Sequence, residues 1–126
     1  MLKIHEVSSA TGGLSALFLR AEGGALELVG DDGPAALPPG ALEAVMRRYG
    51  APFDPEAAIS LVASLPLGQG RALRHVRHLA GYDVIARDYL VYDTPGGEPL
   101  CALSATVAVA LAHLARARQA AVTAGR

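Results

Sequence analysis

An α+β fold, with a mainly antiparallel sheet of two hairpins covered by three or four helices, is what this sequence predicts. Three observations carry that expectation. The apolar pattern runs strands, helices, strands, helix, and not in the regular alternation of an α/β chain. Two Gly-Gly turns, Ala21-Glu22-Gly23-Gly24 and Thr94-Pro95-Gly96-Gly97, each join a pair of strand-like segments. No linker or low-complexity tract divides the 126 residues, so residues 1–126 are expected to form a single domain. That length supports a core without disulfides or metals.

Each element rests on local chemistry. Leu2 to Val7 is a short strand, and Leu14 to Arg20 with Ala25 to Val29 makes the first hairpin. Asp31-Asp32-Gly33-Pro34 then breaks the sheet, and Pro38-Pro39-Gly40 leads out of a loop. Leu42, Val45, Met46 and Tyr49 recur at i, i+3, i+4 and i+7, one face of a helix, and Gly50 stands where a left-handed C-terminal cap belongs. Asp54-Pro55-Glu56 reads as a second helix start, because Asp accepts free N–H groups, Pro lacks the donor that is orphaned there, and Glu suits the positive dipole end. That helix is expected to stop before Pro66.

Arg71 to Ala80 admits two readings. As a strand it would place Ala72, Arg74, Val76 and His78 on one face and Arg71, Leu73, His75 and Arg77 on the other, neither consistently apolar. As a helix it gathers Leu73, Val76, Leu79 and Ala80 opposite the basic residues, so the spacing predicts a helix ending at Gly81. Asp83 to Asp93 is a long strand returning through Pro99 to Leu103, and Pro99 suggests an edge. The last helix is expected from Ser104 or Thr106 to Ala121, with Leu103, Val107, Leu111 and Leu114 as its stripe.

Composition narrows the function classes. With 52% apolar and 18% charged residues the chain is not globally disordered, and the apolar surplus predicts a homo-oligomer, dimer or higher. Cys101 is the single cysteine, so no internal disulfide forms, and its apolar strand makes it a buried, inert thiol. The N-terminus lacks the apolar run of a secretory signal. Pro99 to Ala115, though uncharged, is mostly alanine and short of the roughly 20 apolar residues of a membrane span. A cytoplasmic location without membrane attachment is therefore expected. Ten arginines to one lysine, and no asparagine, point to a GC-rich bacterial genome. Residues 1–70 hold four basic and eight acidic groups (−4), and residues 71–126 seven basic and four acidic (+3), so the two halves could simply pair within the fold or across an oligomer, or the basic half could serve an anionic partner.

Within that half, His75 and His78 could offer two metal ligands with Asp83 or Asp88, but Arg71, Arg74 and Arg77 would repel a divalent cation and no cysteine cluster completes a site. Neither metal nor cofactor is expected. An anion fits better. Gly68-Gln69-Gly70 precedes the expected helix, whose free N–H groups and the forks of Arg71 and Arg74 would hold phosphate or carboxylate oxygens. Gly68, Gly70, Arg71, Arg74, His75 and His78 are thus the candidate ligand-binding residues, although neither a P-loop nor a dinucleotide fingerprint is present. The expected function is a non-enzymatic homo-oligomeric accessory or binding protein.

Two alternatives use the same residues. One is a small enzyme on an anionic substrate, with Arg71 or Arg74 binding and His75 or His78 moving protons. The other is a nucleic-acid binder adding Arg47-Arg48, Arg116, Arg118 and stacking by Tyr82, Tyr89 and Tyr92, against which stands the net charge of −1. Nucleophilic catalysis has no support, because no serine, Ser104 included, lies in a G-x-S-x-G context. Asp83, Asp88 and Asp93 alternate along one strand, and His5 and His113 stand alone.

Overall fold

The computed structural model describes residues 1–8, 14–78 and 87–124. Strands β1 (Leu2–Ser8), β2 (Leu14–Glu22), β3 (Ala25–Gly30) and β4 (Gly33–Ala36) form an antiparallel meander in the order β1-β2-β3-β4. Helix α1 (Ala41–Tyr49) leads to a two-residue strand β5 (Ala51–Pro52). Strands β6 (Ile59–Gly68), β7 (Arg71–His78), β8 (Arg87–Asp93) and β9 (Leu100–Leu103) come next, and helix α2 (Ser104–Ala124) closes the chain. The second sheet has the order β5-β9-β8-β7-β6, again antiparallel throughout. The architecture is α+β with antiparallel sheets, as the pattern predicts.

The first hairpin forms for the expected reason. Glu22 pairs with Ala25, leaving Gly23 and Gly24 as a two-residue turn with φ of 59° and 82°. Such a turn needs positive φ at both positions, which glycine adopts without a Cβ penalty. Asp31-Asp32 does not end this sheet. It turns the chain back into β4, whose Ala36 pairs with Glu27.

Two helices are present among the described residues, not three or four. The segment after Asp54 is β6 and not a helix. Asp54 accepts the Glu56 N–H on Oδ1 at 2.9 Å and the Ala57 N–H on its carbonyl at 3.2 Å, so the same capping chemistry closes a turn instead. Arg71–His78 is likewise a strand, paired with β6 on one side and β8 on the other. A strand with so many basic residues is stable inside a sheet because its arginines meet carboxylates on neighbouring elements. Leu79 and Ala80 of the expected helical face, and 83–86 of the expected long strand, lie outside the described residues. Gly50 is not left-handed either, with φ −82° and ψ 152°. Glycine is needed there because a Cβ would collide with the Met46 carbonyl oxygen, which accepts the Gly50 N–H at 2.8 Å.

Helix α2 touches α1 and both sheets, meeting β1, β3 and β4 of the first and β8 and β9 of the second. Its buried stripe is Val107, Ala108, Leu111 and Ala115, with alanines admitting close neighbours, whereas Leu103 belongs to β9 and is exposed. Leu2, Ile4, Leu19 and Leu28 from the first sheet meet Leu73, Leu90 and Tyr92 from the second in one continuous core with Leu42, Val45 and Met46 of α1. Each fully buried leucine contributes on the order of 2 kcal/mol. No helix among the described residues is long and apolar enough to cross a membrane.

Candidate functional site

Strand alternation sorts the predicted residues onto two faces. Arg71, Leu73, His75 and Arg77 point toward the core side of the sheet, and Ala72, Arg74, Val76 and His78 toward the outer side. The candidate residues 68–78 therefore do not converge. Gly68 and Gly70 form the β6–β7 turn with Gln69, all three at positive φ, and a Cβ at Gly70 would strike the Pro95 ring. With no helix beginning at Arg71, the expected row of free N–H groups is missing from that place.

The guanidinium groups are engaged inside the protein. Arg71 donates to Glu43 Oε1 at 2.8 Å and to the Leu67 and Gly68 carbonyls. The Tyr92 hydroxyl donates to the same Glu43 oxygen at 2.9 Å. Burial, and then the bond to Glu43, push the Tyr92 phenol above its ordinary range. Arg74 grips Asp93 with two bonds, at 2.6 and 3.1 Å, and lies over the Phe53 ring. Arg71 also lines a cavity of about 230 Å³ at the start of α1 with Arg118, which donates to the Leu37 carbonyl at 3.3 Å. On the outer face His78 meets Tyr89 edge-on at 6.2 Å, above a hollow that Cys101 also lines. Cys101 is half-buried, not fully buried as its apolar strand suggests, and partial burial pushes its thiol above the ordinary range.

His75 is different. It is 6% exposed, and its Nε2 has no hydrogen-bond partner. Asp88 Oδ2 is 3.3 Å from that nitrogen, an ion-pair distance when the ring is protonated, while Asp88 Oδ1 accepts from Arg77 Nε at 2.9 Å. Burial works to raise the Asp88 carboxyl, yet the Arg77 bond and the charges of His75 and Arg77 prevail and hold it below the usual carboxylate range. His75, Arg77 and Asp88 line a cleft of about 340 Å³ facing Lys3, His5 and Glu6 of β1. Ser104, buried, closes one end as the first residue of the 21-residue helix α2. Lys3 and Glu6 pair across the rim at 2.8 Å.

Comparison of the chain with family profiles, curated proteins and solved structures returns no match. The chemistry must be read from the cleft alone. Its two carboxylates, Glu6 and Asp88, are paired with Lys3 and Arg77, and the N-terminal end of α2 adds positive dipole charge. Ser104, His75 and Asp88 share the cleft but not the order of a nucleophilic triad. Leu103 pairs with Tyr89, so extending that register by one places Ser104 beside Asp88, and the His75 Nε2 already faces the carboxylate. Among the described residues no group of three His, Cys, Asp or Glu is arranged to hold a metal ion.

Of the six predicted residues, His75 alone lines this cleft. Lys3, His5, Glu6, Asp88 and Ser104 complete it from elements that local pattern does not connect. The one signal available was the strand reading of 71–78, in which Arg77 and Asp88 become directly opposed.

Proposed function

We propose that this chain is a small binding protein whose cleft around His75 takes a compact oxyanion, a carboxylate or a phosphate group. One observation carries the reading: a buried imidazole on the wall of a cleft of about 340 Å³, whose Nε2 completes no well-formed hydrogen bond although Asp88 Oδ2 lies 3.3 Å away. A buried polar atom left unpaired costs about 1–3 kcal/mol, and such atoms persist where a ligand or ordered water completes them. The N-terminal end of α2 adds oriented N–H groups and positive dipole charge, which favour an anion. Binding without catalysis is favoured because the cleft holds no activated nucleophile, and Asp88 is committed to Arg77.

The His75 ring resonances and the Ser104 and Ala105 amides, followed by NMR during titration with inorganic phosphate or acetate, test this reading. Chloride at matched ionic strength is the control for screening. Saturable shifts at both places, lost in His75→Phe, are the expected result, and the stronger of the two ions names the ligand class. Shifts that are absent, that scatter over the surface, or that persist at Ser104 in His75→Phe overturn it.

A further inference from the structure

We infer that the oxyanion of the His75 cleft is a singly charged carboxylate with a short apolar tail, which enters together with a proton taken up by His75. This rests on the reading of the cleft as an oxyanion site and adds the charge of the ligand, its tail and its dependence on pH. The charges facing the cleft decide the first point. Among the described residues that line it, every fixed charge is paired, Lys3 with Glu6 at 2.8 Å on β1 and Arg77 with Asp88 at 2.9 Å between β7 and β8. β6 supplies only Val62 and Ala63, and α2 the Ser104 hydroxyl, with no acidic residue in its first turn. An incoming anion therefore meets no uncommitted cation, and the Asp88 carboxylate, 3.3 Å from the His75 Nε2, opposes it.

Protonation of the imidazole reverses that opposition. It pairs the ring with Asp88 and adds the one positive charge that the anion needs. Histidine is the side chain whose charge changes between about pH 5 and 8. His75 is the buried one of the two imidazoles in the cleft, His5 being half-buried. One proton, with the partial charge at the start of α2, balances one negative charge and not two. A phosphate group carries about −1.5 to −2 at neutral pH and is over-charged for this place, whereas a carboxylate fits it. The remaining wall is apolar, made by Ile4 of β1 with Val62 and Ala63 of β6. At about 340 Å³ the cleft is near the lower end of small-molecule sites, so the tail is limited to a few carbons. Val62, 48% exposed, is the side chain that such a tail would shield from water.

Titration of the full chain with acetate, butyrate and inorganic phosphate tests this, at matched ionic strength and followed by NMR of the His75 ring and the Ser104 amide. A fully buried methylene is worth about fourfold in affinity and one covered on a single side about twofold, so butyrate should bind about fourfold tighter than acetate. Phosphate at neutral pH should bind more weakly than either. Butyrate should lose at least about fivefold in affinity between about pH 6 and pH 8, and at neutral pH it should move the His75 ring carbons toward their protonated positions. Val62→Thr keeps the shape of the side chain, an unchanged melting temperature verifies its folding, and it should at least halve the preference for butyrate. Phosphate binding tighter than the carboxylates, equal affinity for acetate and butyrate, an undiminished preference in Val62→Thr, or affinity indifferent to pH overturns the inference and leaves the oxyanion reading standing. The absence of a saturable shift with all three ions overturns both.

Discussion

Replacing His75 by Phe removes the unpartnered nitrogen while keeping a planar ring in nearly the same space. The loss of a buried unsatisfied group is worth about 1–3 kcal/mol in favour of the variant, and Phe, being the larger side chain, offsets part of that gain. Asp88 retains Arg77 at 2.9 Å, so the substitution does not strand a carboxylate. A net stabilisation of about 1 kcal/mol is expected, which raises the melting temperature by about 4 °C for a domain of this length. Urea titration and calorimetry in a buffer free of phosphate and carboxylate measure it. Adding phosphate should then narrow the gap, because a ligand stabilises only the state that binds it. If His75→Phe instead loses 1 kcal/mol or more in the bare buffer, the nitrogen is satisfied in the folded protein and the reasoning fails. A gain in stability accompanied by loss of binding is the ordinary signature of a functional polar group.

The packing and the charges lead to three further outcomes. Val76 is 1% exposed, so Val76→Asp should cost on the order of 3 kcal/mol by urea denaturation, and wild-type behaviour would contradict its burial. Gly50→Ala drives a Cβ into the Met46 carbonyl and should cost about 2 kcal/mol, whereas a left-handed cap would have shown only the smaller penalty of positive φ. Asp88 has a folded-state pKa below its unfolded value of about 3.9, so its contribution is complete above about pH 5 and is lost as pH falls through the lowered value. The stability difference between wild type and Asp88→Asn should accordingly be flat from neutral to mildly acidic pH and shrink below about pH 4.

Local signals sufficed where the residues that decide an element lie within it. Gly23-Gly24 dictates a two-residue turn by its φ angles, and Leu42, Val45 and Met46 mark the buried face of α1 without reference to anything beyond it. The same signals misled at Asp54 and at Arg71. Asp54-Pro55-Glu56 presents identical chemistry to a helix start and to a turn, and the conformation of the chain beyond it depends on whether a partner strand is available. β7 is that partner. The helical reading of 71–80 rested on the absence of an apolar face in the strand reading. The strand needs no uniformly apolar face, because Glu43, Asp88 and Asp93 are brought up to Arg71, Arg77 and Arg74.

What this sequence determined by itself was therefore its antiparallel α+β class, its first hairpin, and its two helices, all written in turn chemistry and short-range periodicity. The tertiary structure alone decided that β6 and β7 are strands and that His75 lines a cleft with residues of β1, β8 and α2 instead of standing on a basic helix face. The physical reason is the same in both cases. A half-buried arginine is stable only with its counter-charge, and those counter-charges come from elements as far away as α1, 28 residues from Arg71. His75 lacks a hydrogen-bond partner for its Nε2 because the groups around it, on β1, β8 and α2, are positioned by the whole core.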